Sequence, residues 1–383
     1  MGSEKEVIFT HPLTPSAREG EQTSKIQKIP PPLRRGIKGV GIKKQKEQKM
    51  SKKTKISISI AIVLGVIIIA IVGIYNHFNL WQFKGVKVAY LQNYLQNPKC
   101  DFNLNQDVIY STNSTNVANL DRRQGFIAHA GGALIDKKTG EVFTYTNSKE
   151  ALLQSIKEGF RFIEIDLSLD AQGEIFAAHD YKHFYKITNA LPKNFNENIF
   201  SHSAFAPPSK DYIKNAKIYG RFTPLQAHDI NAIFSANPSR VYLVTDKLQD
   251  FDALSNQLDF GETSIKDRIL IEVFSIKDYF KARKMGFKYP MFCAWNLIEN
   301  IKMAMRHKIP MITTHTDILR DEQGAKLAEE YIKNGGCIFT FSSNETNFIN
   351  EHLGKRVSAF YTDFYDIAQG ECKLRNKDKC TTY

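Results

Sequence analysis

Four polar side chains, His129, Glu164, Asp166 and His179, punctuate short apolar runs between Phe126 and Asp180. In Phe162-Ile163-Glu164-Ile165-Asp166-Leu167, the two-residue period of a strand would set Glu164 and Asp166 on one face and the Ile and Leu side chains on the other. Two carboxylates side by side on a buried strand repel each other and lose hydration. They are stable there only when a cation or firm hydrogen-bond donors compensate them, and a divalent ion meets that need. The ligands are hard oxygens, with no cysteine among them, a set that suits Mg²⁺ or Ca²⁺ better than zinc. An imidazole titrates near neutrality, so His129 and His179 are suited to taking and giving a proton.

The elements that would position these groups are readable around them. Asn147 can cap a helix, with Glu150 three residues on completing a capping box. Ala151, Leu152, Ile156 and Phe160 form its apolar face, and Gly159 falls near its end. Asp170-Ala-Gln-Gly173 reads as a turn, followed by a short strand from Glu174 to His179. Strand, helix, strand, turn, strand is the opening of a parallel βα fold.

With these residues in view, 126–180 resembles the opening of the glycerophosphodiester phosphodiesterase family, within the phospholipase C-like barrel phosphodiesterases. That family begins His-Arg-Gly, continues with an Asn-Thr helix start and a Glu-x-Asp strand, and closes Thr-x-Asp-Gly before His-Asp. Here His129-Ala130-Gly131, Asn147-Ser148, Glu164-Ile165-Asp166, Asp170-Ala-Gln-Gly173 and His179-Asp180 stand in that order. Ala130 departs from the pattern, because the family has there an Arg that helps hold the phosphate. The resemblance implies metal-dependent hydrolysis of a phosphodiester, with His129 as base and His179 as acid, two roles that could be exchanged. A substrate hydroxyl next to the phosphate would allow attack from within and a cyclic intermediate.

Six further apolar runs follow, at 240–246, 268–274, 289–294, 309–314, 336–341 and 357–362, with helices between them such as 276–285, 297–306 and 323–334. Together with the runs at 126 and 162 they make eight strands, the rhythm of an α/β TIM-type (β/α)8 barrel, with the strand at 174 as a hairpin addition to the second. Functional groups in such a barrel gather at the carboxyl ends of the strands. The closing Tyr361-Thr362-Asp363 is similar to the family's last strand, which tends to end Thr-Asp. The family's third strand ends Glu-x-Lys, whereas this chain has Thr245-Asp246-Lys247. Sphingomyelinase-D-like relatives carry an Asp near this point, so the resemblance implies Asp246 as third metal ligand and Lys247 as a phosphate contact replacing the missing Arg. Both side chains cannot point inward from a flat strand, so a bulge or the strand's end is required. Trp295 follows the fifth run, where it could meet a substrate head group; Glu272 and His315 are lesser candidates. The aromatic and polar stretch 181–223 reads as a loop beside the site.

The net charge of +12 is uneven: residues 1–55 carry +9 and the remainder only +3. A near-neutral body gives a nucleic-acid role little support. Residues 1–55 read as a disordered basic cytoplasmic tail, within which Met50 is a second plausible start. The uncharged run Ile56–Tyr75 is long enough to span roughly 30 Å as a helix. It is expected to cross a membrane as a signal anchor, with the flanking lysines holding the N-terminus in the cytoplasm and the body on the far side. Residues 76–125 read as a stalk that packs partly on the barrel at 126–383, with an Asn-Ser-Thr acceptor pattern at 113–115. Cys293 and Cys337, in apolar strands, read as buried thiols. Cys372 and Cys380 suit a disulfide in an oxidising compartment, and Cys100 has no evident partner. The expected function is therefore a membrane-anchored phosphodiesterase. Its rival is a barrel without catalysis that serves as a binding or envelope-assembly module.

Overall fold

The structure is a computed structural model, and it describes residues 52–77, 83–100, 125–191, 205–238, 241–374 and 380. The basic tail up to Ser51, the Asn-Ser-Thr at 113–115 with most of the stalk, and 192–204 of the long insertion lie outside the described residues.

Eight parallel strands close into a barrel: β1 (Phe126–Ala128), β2 (Phe162–Glu164), β3 (Tyr242–Thr245), β4 (Ile269–Val273), β5 (Tyr289–Cys293), β6 (Met311–His315), β7 (Cys337–Phe341) and β8 (Ala359–Thr362). Each pairs with the next, and β8 pairs with β1, where Phe126, Ile127 and Ala128 stand against Phe360, Tyr361 and Thr362. The strands are apolar on both faces because one face fills the barrel and the other meets helices. Ile127, Phe162, Val244, Leu270, Met291, Phe339 and Tyr361 pack together inside, while Ile163, Leu243, Ile271, Val273 and Ile338 join the outer cluster. The two-residue period then decides what rises above that filling. Two positions beyond Ile127, Phe162, Val244 and Leu270 stand His129, Glu164, Asp246 and Glu272, on the inward side at the carboxyl ends.

The N-terminal part of the described chain holds two helices, α1 (Lys52–His77) and α2 (Lys87–Gln96). Helix α1 contains the apolar run, and its described Ile60, Val63, Ile67 and Ile71 are all exposed. Its side chains are described for Ser59, Ile60 and residues 62–74 alone; among the described residues no helix is long and apolar enough to cross a membrane. Helix α2 docks on the barrel. Tyr90 is buried edge-on to Phe280 at 5.1 Å, and Asn93 Nδ2 donates to the carbonyls of His307 and Lys308 at 3.2 and 3.0 Å. A disulfide joins Cys100 to Cys337, so the reading of Cys337 as a thiol is corrected and Cys100 has its partner. The cause is register: Cys337 opens β7 at the rim beside which the segment after α2 runs, with Cys100 N–H bonded to Gly335 O at 2.7 Å. Cys293 is free and buried, and Cys372 is bonded to Cys380.

Helix α3 (Lys149–Glu158) follows β1, but its cap is Ser148, whose Oγ accepts from Ala151 N–H at 3.2 Å. The cap at Asn147 is thus corrected by one residue, because the Asn147 side chain is engaged elsewhere. Glu150 closes no capping box; its carboxylate accepts from Thr223 N–H and Oγ1 at 2.8 and 3.0 Å. Gly159 ends the helix at φ +91°, as its position suggested. A hairpin of 167–169 with 175–177 follows β2. The stretch expected as a loop contains α4 (Tyr181–Ile187) and α5 (Lys210–Asn215), with α6 (Ala227–Ser235) leading to β3. Their apolar spacing is short enough to be lost among aromatic and polar neighbours.

Candidate active site

Strand β2 stops at Glu164 and does not run on to Leu167 as the alternation suggested. Ile165 N–H still reaches Val244 O at 2.9 Å, but Asp166 N–H turns to Asn147 Oδ1 at 3.0 Å, and Asn147 Nδ2 donates back to Asp166 Oδ2 at 2.8 Å. An asparagine side chain thus replaces a strand neighbour and fixes Asp166 just beyond the strand end. Strand β3 likewise stops at Thr245, which frees Asp246 and Lys247 from alternation. Lys247 Nζ lies 3.0 Å from Asp246 Oδ2, the strand-end arrangement that the pair required.

Glu164, Asp166 and Asp246 each offer an oxygen within 4.8 Å of the others. Burial raises the Glu164 carboxyl well above the usual carboxylate range, and the charges on Asp166 and Asp246 push the same way; the Ala130 N–H, donating to Oε2 at 2.6 Å, opposes them. Burial and the neighbouring Asp166 also raise Asp246, against the pull of Lys247. Glu164 Oε1 and Asp246 Oδ1 are buried with no hydrogen-bond partner among the described residues. Converging hard oxygens, left unpaired out of water, fit a divalent cation. Glu272 is different: it accepts from Thr313 Oγ1 at 2.9 Å and from the Tyr361 hydroxyl, and forms a hydrogen-bonded floor.

The two histidines come from the ends of different segments and meet one tyrosine. His129 follows β1 in a tight turn whose next residue, Ala130, sits at φ +47°. Its Nδ1 is 3.4 Å from Asp363 Oδ1. Burial alone would lower the His129 imidazole, but Asp363, then Asp166 and Asp246, raise it above its ordinary value. His179 Nδ1 is 2.8 Å from Asp180 Oδ2, and Asp180 Oδ1 caps α4 by accepting from His183 N–H at 2.8 Å. A carboxylate at Nδ1 favours the Nδ1–H tautomer and leaves Nε2 as the working nitrogen in both rings. The Tyr145 ring lies 4.6 Å from His129 and 5.7 Å from His179, centroid to centroid.

Trp295 stands at the rim, half exposed and at φ +52°, stacked on Phe274 at 5.8 Å and edge-on to Phe341 at 6.2 Å. From there Phe341 meets Tyr361, and Tyr361 meets His129, each at 6.0 Å. His315 is also at the rim, 2.9 Å from Asp317 and on the surface side of Phe341. Sequence reasoning missed Tyr145, the pairing of Asn147 with Asp166, and Asp363 beside His129. Asp363 carried a signal, since an acid closing the last strand points at the same rim as the others. Tyr145 carried none, because its place depends on a backbone conformation.

No family model matches the chain, and no curated protein matches it. Solved structures do. A glycerophosphodiester phosphodiesterase from Thermotoga maritima shares 15% identity over 64% of this chain and 96% of its own, with a TM-score of 0.43. One from Parabacteroides distasonis shares 14% over 64% and 94%, with a TM-score of 0.47. A phosphodiesterase from Oleispira antarctica, in complex with the product sn-glycerol-3-phosphate, shares 13% over 64% and 95%, with a TM-score of 0.45. The first two carry the family name that the sequence resemblance gave. At these identities the likeness is one of architecture, and the chemistry has to come from this chain's own side chains.

Proposed function

We propose that this chain is a metal-dependent phosphodiesterase acting on a glycerophosphodiester, a phospholipid head group or a phosphodiester-linked surface polymer. The observation that carries the reading is the meeting of two buried carboxylates, Glu164 and Asp166, and the half-buried Asp246, within 4.8 Å of one another, with two imidazoles around Tyr145. Mg²⁺ or Ca²⁺ held by Glu164, Asp166 and Asp246 would offset the charge of the diester and polarise its P–O bond. His129 Nε2 takes the proton from the attacking hydroxyl, of water or of the substrate itself. The Asp363 carboxylate suits it to that task by raising its basicity and stabilising the imidazolium formed. His179 Nε2 gives a proton to the departing alcohol while Asp180 holds the other side of its ring. The products are an alcohol and a phosphomonoester, or a cyclic diester when the attacking hydroxyl neighbours the phosphate. Lys247 contacts the phosphate, and Trp295 lines the approach for the head group.

The reading includes an anchor. The apolar run 56–75 extends at both ends beyond the side chains described in α1, and basic residues precede it. The Cys100–Cys337 and Cys372–Cys380 bonds suit an oxidising compartment on the far side of a membrane. Membrane fractionation of the chain with and without residues 1–75 tests this part, and equal recovery in the soluble fraction would remove it. For the chemistry, hydrolysis of bis(p-nitrophenyl) phosphate and of glycerophosphocholine is measured with EDTA and after restoring Mg²⁺ or Ca²⁺. Turnover that EDTA abolishes and the ion restores is the expected result. The absence of a side chain able to hold phosphate at Ala130 favours the rival reading, a binding module. Silence of folded, metal-supplied protein across a diester panel would favour that rival.

A further inference from the structure

The arginine that the family resemblance leads one to expect at position 130 has no successor there. Ala130 is fully buried, and its N–H is committed to Glu164. Lys247, the phosphate contact proposed above, is held 3.0 Å from Asp246 and so serves the carboxylate side of the site. A bound phosphodiester would therefore need another donor on the histidine side of the site.

We propose that the Tyr145 hydroxyl supplies it, donating a hydrogen bond to a non-bridging oxygen of the bound phosphodiester; the inference rests on the phosphodiesterase reading. In a displacement at phosphorus the attacking and leaving oxygens lie on opposite sides, so the phosphoryl group sits between the base and the acid. The Tyr145 ring meets both imidazoles, edge-on at 73° and 78°, and so borders the space that group would take.

The backbone supports the assignment. Tyr145 is at φ +51° and Asn147 at φ +46°, in the left-handed region that side chains other than glycine adopt at a cost, smaller for asparagine than for tyrosine. Asn147 N–H bonds to Ala130 O at 3.1 Å, and the Asn147 side chain bonds twice to Asp166. The segment carrying Tyr145 is thereby tied to the histidine turn on one side and to the carboxylate cluster on the other. A tyrosine that merely filled space would not require this.

The hydroxyl is also chemically suited. It makes no hydrogen bond among the described residues, and the residue is half-buried rather than enclosed. Burial, and after it the carboxylates of Asp363, Asp166, Glu164 and Asp246, keep the phenol protonated throughout any working pH. A neutral O–H donor can bind phosphate beside a cation without competing for the acidic ligands, which a second positive charge would do.

The test is Tyr145→Phe, which keeps the ring against the imidazoles and removes only the hydroxyl. Inorganic phosphate binding in the presence of Mg²⁺ is measured by calorimetry, alongside bis(p-nitrophenyl) phosphate hydrolysis, Mg²⁺ affinity and thermal melting. Expected are a loss of about tenfold to a hundredfold in phosphate affinity and in kcat/KM, with Mg²⁺ affinity and melting as in the unmodified chain. Phosphate affinity and kcat/KM within twofold of the unmodified chain, while Tyr145→Ala is impaired, would overturn the inference and leave the ring as a spacer. An unmodified chain that binds phosphate through Tyr145 but turns over no diester would keep the contact and sink the phosphodiesterase reading.

Discussion

At the carboxyl rim of the barrel, Glu164 Oε1 and Asp246 Oδ1 are buried without partners among the described residues, and Ala130, Tyr145, Asn147 and Trp295 are held at positive φ. At the amino rim several polar groups are buried with partners, although His307 Nδ1 has none among the described residues. The Arg268 guanidinium donates to the carbonyls of Val241, Phe234 and Asn237, the Tyr331 hydroxyl donates to Ile309 O, and Asn93 donates to two carbonyls just beyond the helix Ile298–Arg306. Positive φ there, at Asn97 and Lys308, falls at helix ends, where the left-handed conformation is usual. The same strands thus end in a converging cluster of unpaired carboxylate oxygens on one side and a largely hydrogen-bonded seam on the other. Such a division assigns chemistry to the first and stability to the second.

The largest effects that would break or sharpen this contrast are expected at the histidines. His129→Ala and His179→Ala should each lower kcat roughly 10²–10⁴-fold, the usual worth of a positioned acid or base. Melting and Mg²⁺ affinity should stay close to those of the unmodified chain. Glu164→Gln should lower Mg²⁺ affinity and turnover together. Steady-state kinetics, calorimetry and thermal melts check all three variants. A histidine variant that melts far lower while retaining turnover would make the carboxyl rim a structural feature.

The next effect belongs to the other rim. The Cys100–Cys337 bond closes a loop with a sequence separation of 237 residues, and Cys100→Ser should remove about 2–5 kcal/mol of stability. Denaturant unfolding reads the loss. The kcat for diester hydrolysis should be unchanged under conditions where the variant is folded. A fall in kcat with little change in stability would reverse the division of labour between the two ends.

How much of this was legible in the sequence follows the same line. The strands were readable because each is apolar on both faces, and β4, β5 and β7 differ from the expected runs by at most a residue at either end. His129, Glu164, Asp166, His179 and Asp246 were readable because polar groups at the ends of such runs are conspicuous. What was lost depends on backbone conformation or distant pairing. Asn147 looked like a helix cap, because nothing local shows that its amide reaches Asp166 nineteen residues on. Cys100 and Cys337 could not be matched across 237 residues. Tyr145 could not be distinguished from any tyrosine before a helix until its φ of +51° turned it toward the imidazoles.

The smallest effect is also the most direct probe of the unpaired oxygens. Glu164 and Asp246 have carboxyl groups raised by burial in the folded chain. The metal-free folded state then binds their protons more tightly than the unfolded state does, so its stability falls as pH rises from the ordinary carboxylate range, about 4, through the raised values. An ion requires the deprotonated ligands, so its affinity rises over the same window. Melting temperature with EDTA should therefore decline from pH 5 to pH 8, while the gap opened by Mg²⁺ or Ca²⁺ widens, reaching about 2.7 kcal/mol when the ion is at a hundred times its Kd. In Glu164→Gln both the decline and the widening should shrink, since one of the groups that resists ionisation is gone. A gap that stays constant across this range, in the unmodified chain and the variant alike, would mean that the carboxylates do not share an ion, and the contrast between the two rims would lose its chemical half.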